Sequence, residues 1–379
     1  MLARYLPESS SVFALRAVKG VKVMATSVRF SESRGVPILT RGQLIRGLQF
    51  DGVMGALSFL WMGGLYLDGW AHGHGKVDKT FFTPWHAILY SAFALVACCL
   101  LFTVVSNHRK GVPWRLAIPS GYGLSLLGVL IFACAAPGDL LWHTLFGFEV
   151  GIEPLLSPSH LALALGGVLA MTGPLRATLR RSIPIAEQGW RTLFPMLLSL
   201  SASLMIFVFF AQFGNTFSRL GTIVSPFATD EAKSFGATGI LLQTALLMGF
   251  ILFAVRRWRL PIGSLTLLFA VYMMLLSVLN NQYELIPGVV VTGVVADVLL
   301  RVLRPLSSTT ELRVFAFIVP VVLYLCFFLT LMLVSTISWS IHLWLGSCLM
   351  AGVVGLMLSF LLAPPRGPNE PGEKQATAS

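Results

Sequence analysis

Charge is what this sequence has least of. Only 11% of its 379 residues are Asp, Glu, Lys or Arg, against about 25% in soluble domains. Acidic residues are the scarcer kind, 16 against 27 Lys and Arg. A chain this poor in charge, 56% hydrophobic with a mean hydropathy of +0.80, is not an ordinary water-soluble domain. Cysteine is sparse too. Cys98, Cys99, Cys134, Cys326 and Cys348 all lie in apolar stretches and none has metal-ligand spacing. That gives no sign of a thiolate metal site or of a disulfide framework. Apolar and polar residues do not alternate with period two, which excludes an outer-membrane barrel. The first residues show no apolar core followed by a cleavage site, so no secretory signal peptide is expected.

Long apolar runs are abundant, each near the roughly 20 residues that cross a bilayer as a helix. Ten candidate spans fall at 50–72, 84–105, 117–141, 158–174, 192–212, 236–255, 261–280, 285–303, 314–335 and 338–363. Spans four and five are the weakest, being short or rich in small residues. Hydrocarbon offers no partner to backbone polar groups, so each span must satisfy its own as a helix. The expected fold is an all-α polytopic transmembrane bundle of about ten helices. Four regions are expected: a basic cytoplasmic arm (1–49), a four-helix membrane unit (50–174), a six-helix membrane unit (175–363) and a disordered Pro/Gly/Glu-rich tail (364–379).

The net charge of +11 could suggest nucleic acid, but its distribution argues for a membrane. Arg109, Lys110, Arg115, Arg176, Arg180, Arg181, Arg191, Arg256, Arg257, Arg259, Arg301, Arg304 and Arg313 follow the even-numbered spans. Only Lys76, Lys79, Arg219 and Lys233 lie in the opposite loops. Thirteen against four is a positive-inside asymmetry. It places both termini in the cytoplasm of a multi-pass protein, expected in a bacterial inner membrane. The partners expected are the lipid bilayer and other membrane subunits, not nucleic acid.

One pattern carries most of the chemistry, and it occurs twice. Asp68-x-x-x-His72 is followed by Thr83-Pro84-Trp85-His86; Asp139-x-x-x-His143 is followed by Ser157-Pro158-Ser159-His160. Spans one and two thus read as a tandem copy of spans three and four. Asp and His four apart share one helical face. A Pro in the first helical turn marks where each returning helix starts. The charge-derived topology then brings all six residues to one membrane face, outside. Ionisable groups in a span cost roughly 2.5–3.5 kcal/mol each on insertion scales for the charged types, and a divalent cation is the simplest compensation. With imidazole, carboxylate and no thiolate, one or two ions of copper, iron or zinc are expected. A hydrogen-bonded polar cluster and a metal-free proton relay are the competing readings. Glu149, Glu153, Glu284 and His342 are candidate accessory groups on the same side. His74 reads as a solvated loop histidine. Asp297 reads as the local partner of Arg301, four residues on.

The run Asp68, His72, His86 resembles the Asp-x-x-x-His…His copper motif in the PmoC-type subunit of particulate methane and ammonia monooxygenases. Its ligands also lie on neighbouring transmembrane helices. The resemblance covers about twenty residues, and its last interval is one residue longer here. That family has one such motif where this chain has two. What the resemblance implies is a bilayer-embedded metal site at Asp68, His72 and His86; hydroxylase activity does not follow from it. The leading expectation is a membrane metallo-oxidoreductase acting on a small or lipophilic substrate. A metal-ion or proton transporter, and a metal-delivery or assembly factor, are the alternatives.

Overall fold

The computed structural model describes residues 41–76, 82–147, 151–305 and 307–364, with residues 41–46 described by backbone alone. Glu149, most of the expected arm and nearly all of the expected tail lie outside the described residues. The described residues are overwhelmingly helical and contain no strand. Among the described residues, nine helices are long and apolar enough to cross a membrane, and Ser264–Asn280 is a shorter apolar helix. This supports an integral, multi-pass membrane protein.

In chain order the long helices are α1 (Arg41–Gly73), α2 (Pro84–Arg109), α3 (Gly123–Phe146), α4 (Pro158–Arg180) and α5 (Trp190–Phe210). They continue as α6 (Asp230–Arg257), α7 (Ser264–Asn280), α8 (Ile286–Leu303), α9 (Thr309–Val334) and α10 (Ile341–Leu362). Helix α1 is described from Arg41, and its candidate membrane span starts at Gly47. Helix α4 runs on to Arg180, so the expected boundary between 174 and 175 falls inside a helix.

Helix α5 is the centre of the bundle, touching α1, α4, α6 and α7. Its membrane window is 83% buried, against 33% for α2 and α3. That explains its small, hydroxyl-bearing residues. Ser199, Ser201 and Ser203 are all buried where bulkier side chains would hold neighbouring helices apart. Ser199 also repairs a break. Pro174 prevents regular helix geometry in α4, and the rung between Leu175 N and Met171 O is interrupted. The Ser199 hydroxyl sits in that gap, accepting from Leu175 N at 3.3 Å and donating to Met171 O at 2.6 Å.

Helix α3 packs closely on α4 through glycines. A Cβ on Gly128 would lie 2.5 Å from Ala170 N and 2.6 Å from Gly166 O, so only hydrogen fits. At the end of the bundle away from the repeated motif, α1 is tied to the others by charge. Buried Asp51 accepts from Tyr122 OH at 2.7 Å and pairs with Arg181. Arg176 donates to Gly121 O, Ser125 Oγ and Leu169 O. Two of the thirteen asymmetric cations therefore also brace the fold. The expected Asp297–Arg301 pair does not form. Asp297 instead accepts from Leu265 N, Thr266 N and Thr266 Oγ1, capping the start of α7, where a carboxylate complements the helix dipole. Arg301 donates to Leu260 O.

Candidate metal centre

Each repeated motif folds as one helix end facing one helix start. Asp68 and His72 lie in the last turns of α1, and His86 lies in the first turn of α2. Thr83 is the N-cap of α2; its side chain accepts from His86 N at 3.1 Å. Pro84 takes the first helical position, where its missing N–H costs nothing. The cap-Pro-x-His order thus fixes His86 as the third helical residue. The second copy repeats this: Ser157 caps α4 by accepting from His160 N, with Pro158 next.

These placements make two triads. His86 Nε2 is 3.4 Å from Asp68 Oδ2, His72 Nε2 is 3.8 Å from the same oxygen, and the two imidazole nitrogens are 3.4 Å apart. In the second triad, His143 Nε2 is 3.5 Å from Asp139 Oδ2 and His160 Nε2 is 3.5 Å from Asp139 Oδ1. Within each triad all potential ligand atoms lie within 4.8 Å of one another. Both triads line one cavity of about 600 Å³.

The copies differ in what holds them. In the second, Ser159 Oγ donates to Asp139 Oδ1 at 2.7 Å, and Ser157 Oγ meets His160 Nδ1 at 2.7 Å. That second contact leaves Nε2 as the nitrogen turned to the cluster. In the first copy Trp85 stands where Ser159 stands in the second. Asp68 Oδ1 is buried and has no hydrogen-bond partner. An unpaired buried carboxylate oxygen is costly, and a cation is the natural group to offset it. His72 is also the most open of the four triad histidines, its side chain 45% exposed against 10% for His143.

The other nominated residues fall elsewhere. Glu284 and His342 are exposed and are not among the residues lining the cavity. Glu153 is exposed and starts the short helix Glu153–Leu156, whose Pro154 and Leu155 do line the cavity. His74 is engaged with protein, not with the triads. Its Nδ1 meets Trp70 O at 2.8 Å, its Nε2 meets Asn281 Nδ2 at 2.7 Å, and its ring stacks on Trp70. Sequence reasoning missed Tyr90, which lines the cavity with its ring 6.1 Å from that of His86. Its signal was available: Tyr90 is four residues after His86, on the same helical face. Arg219, Gln212 and Ser218 also line the cavity, supplied by the loop after α5.

Comparison with family models, with curated proteins and with solved structures found no match.

Proposed function

We propose that this protein is a membrane metalloprotein in which each Asp/His/His triad holds one transition-metal ion. The observation that supports this best is the convergence of two separate triads on one cavity. Two ligands bound to a tetrahedral ion at about 2.0–2.1 Å sit about 3.4 Å apart. The measured separations of 3.4, 3.5 and 3.8 Å need little adjustment to meet that spacing. The orphaned Asp68 Oδ1 points the same way. Imidazole and carboxylate suit copper, iron or zinc, and no cysteine is among the described residues lining the cavity.

Three protein ligands leave a coordination position free, as in catalytic rather than structural sites. A bound ion would supply redox or Lewis-acid chemistry there. The protein's own residues do the rest. Ser157 and Ser159 orient His160 and Asp139, as supporting groups commonly do around a metal. Tyr90 stands beside the ligands. Leu65, Phe132, Leu163 and Ile206 give the cavity an apolar wall. We favour a metallo-oxidoreductase acting on a small or lipophilic substrate near the extracytoplasmic face. Transport of metal or protons, or delivery of metal to another protein, is the second reading. A transporter needs polar groups continuing through the bilayer, and the apolar wall next to the triads favours a fixed site.

The test is elemental analysis of the detergent-purified protein, with optical and electron paramagnetic resonance spectra. One or two ions of copper, iron or zinc per chain are expected. A protein that arrives without stoichiometric metal and takes up none of the three when they are added would overturn the reading.

A further inference from the structure

The cavity is much larger than the ions require. A few waters completing their coordination, at about 30 Å³ each, account for on the order of 100 Å³. The cavity holds about 600 Å³, in the middle of the range of about 300–1,000 Å³ seen for small-molecule pockets.

Its remaining lining is of two kinds. Leu65, Phe132, Leu163, Ile206, Phe209 and Phe213 form apolar wall, against which water would lack hydrogen-bond partners. Gln212, Ser218, Arg219 and Asn280 form a polar edge from the other half of the chain. Arg219 is the single Arg or Lys among the described residues lining the cavity. Unlike Arg176 and Arg181, its guanidinium makes no hydrogen bond or ion pair with the described residues. Beside it, Ser218 Oγ accepts from Asn280 Nδ2 at 3.2 Å, which leaves its own proton to donate. A guanidinium with free donors beside a hydroxyl is suited to a carboxylate or phosphate.

We infer that the cavity binds a single-chain amphiphile with an anionic head. The chain lies against the Leu and Phe wall, and the anion meets Arg219 and Ser218. The inference leans on the metal reading in one respect: a cation at each triad offsets the repulsion between the carboxylates of Asp68 and Asp139 and an anionic head, so the head binds more tightly with metal bound, while Arg219 and the apolar wall hold it in either case. A fatty acid and a single-chain phospholipid share this chemistry.

The test uses the full chain in nanodiscs, labelled with a photoreactive diazirine analogue of dodecanoate, with adducts mapped by mass spectrometry. Adducts are expected on segments 163–171 and 206–213, and both dodecanoate and dodecyl phosphate should displace the probe. The stronger competitor identifies the head as carboxylate or phosphate. Arg219→Ala should weaken both anions by about tenfold or more, the worth of a charged hydrogen bond, and change dodecanol by less than about twofold. Ala164→Phe, which places a ring in the space proposed for the chain, should reduce the adducts sharply. Should that variant misfold, Arg219→Ala alone decides, because its exposed side chain holds no part of the fold. Adducts confined to outward-facing residues such as Phe102 and Leu130, or equal weakening of anions and dodecanol, would overturn the inference. Metal content is measured on the same samples. Competed cavity adducts on a protein without metal would sink the metal reading and leave this one standing; bound metal without cavity adducts would do the reverse.

Discussion

Replacing His143 with Ala tests the ligand assignment most directly. The imidazole is largely buried, 3.5 Å from Asp139 Oδ2, and a methyl group cannot substitute for its nitrogen. Four-ligand structural zinc sites bind with about 10–16 kcal/mol, on the order of 3 kcal/mol per ligand, so losing one ligand of three weakens a site by about two orders of magnitude. The first triad shares no ligand with the second. Its occupancy should therefore hold. The assay is equilibrium dialysis against buffered metal, then elemental analysis per chain, at a metal level that just fills the unaltered protein. His143→Ala should keep about half the metal, His72→Ala about half, and the double variant close to none, because separate sites add. Membrane insertion should be unaffected, since the change removes no apolar surface. If the double variant loses no more than either single one, the triads form a joint site and one ion per triad is wrong. If all three variants keep their full metal, the functional reading collapses to a polar cluster.

Three further outcomes are expected. Ser159→Ala should lower metal affinity at the second triad by about 10–100-fold, the usual effect of losing a group that supports a ligand, and leave the first unchanged; the same dialysis measures it. Arg181→Ala strands the buried Asp51 carboxylate, so it should cost about 3–5 kcal/mol of stability and lower the melting temperature in detergent, with metal per folded chain unchanged. A fluorescent reporter fused after Pro364 should fold and fluoresce in the cytoplasm; a phosphatase at the same point that is active outside would refute the sidedness drawn from the arginine asymmetry.

The spans were legible because hydrophobic length is a local property, and among the described residues nine long helices plus the shorter α7 answer to ten apolar runs. The six motif residues were legible for the same reason: a four-residue interval and an N-cap followed by Pro both set position within one or two turns. What local signals give is height along the bundle, not direction around a helix. Glu284 and His342 were nominated on height and do not line the cavity. Asp297 was paired with Arg301 because they are close in sequence, yet its partners are 31 and 32 residues away on α7. Asp51 was overlooked because Arg181 is 130 residues distant. The break in α4 made span four look short, and nothing in its own sequence shows that Ser199 on another helix bridges it. The Ser159-for-Trp85 difference was visible as letters; its meaning, that Asp139 Oδ1 gains a hydroxyl donor while Asp68 Oδ1 has none, required the fold.

Each triad is supplied by a single helix pair. Asp68 to His86 and Asp139 to His160 are short intervals, closed by one reversal of the chain. Loop-closure entropy is therefore small, and such local contacts form early. A helix pair leaving the ribosome has its whole ligand set as soon as its second helix has begun, long before α5 arrives to fill the centre. Formation of the two triads is thus uncoupled from formation of the cavity they share. That chamber needs Arg219 and Asn280 from the later half of the chain. On the metal reading, a nascent protein in this order would take up its ions before the later half of the chain completes the cavity, and the charge of each triad would be neutralised before that space closes.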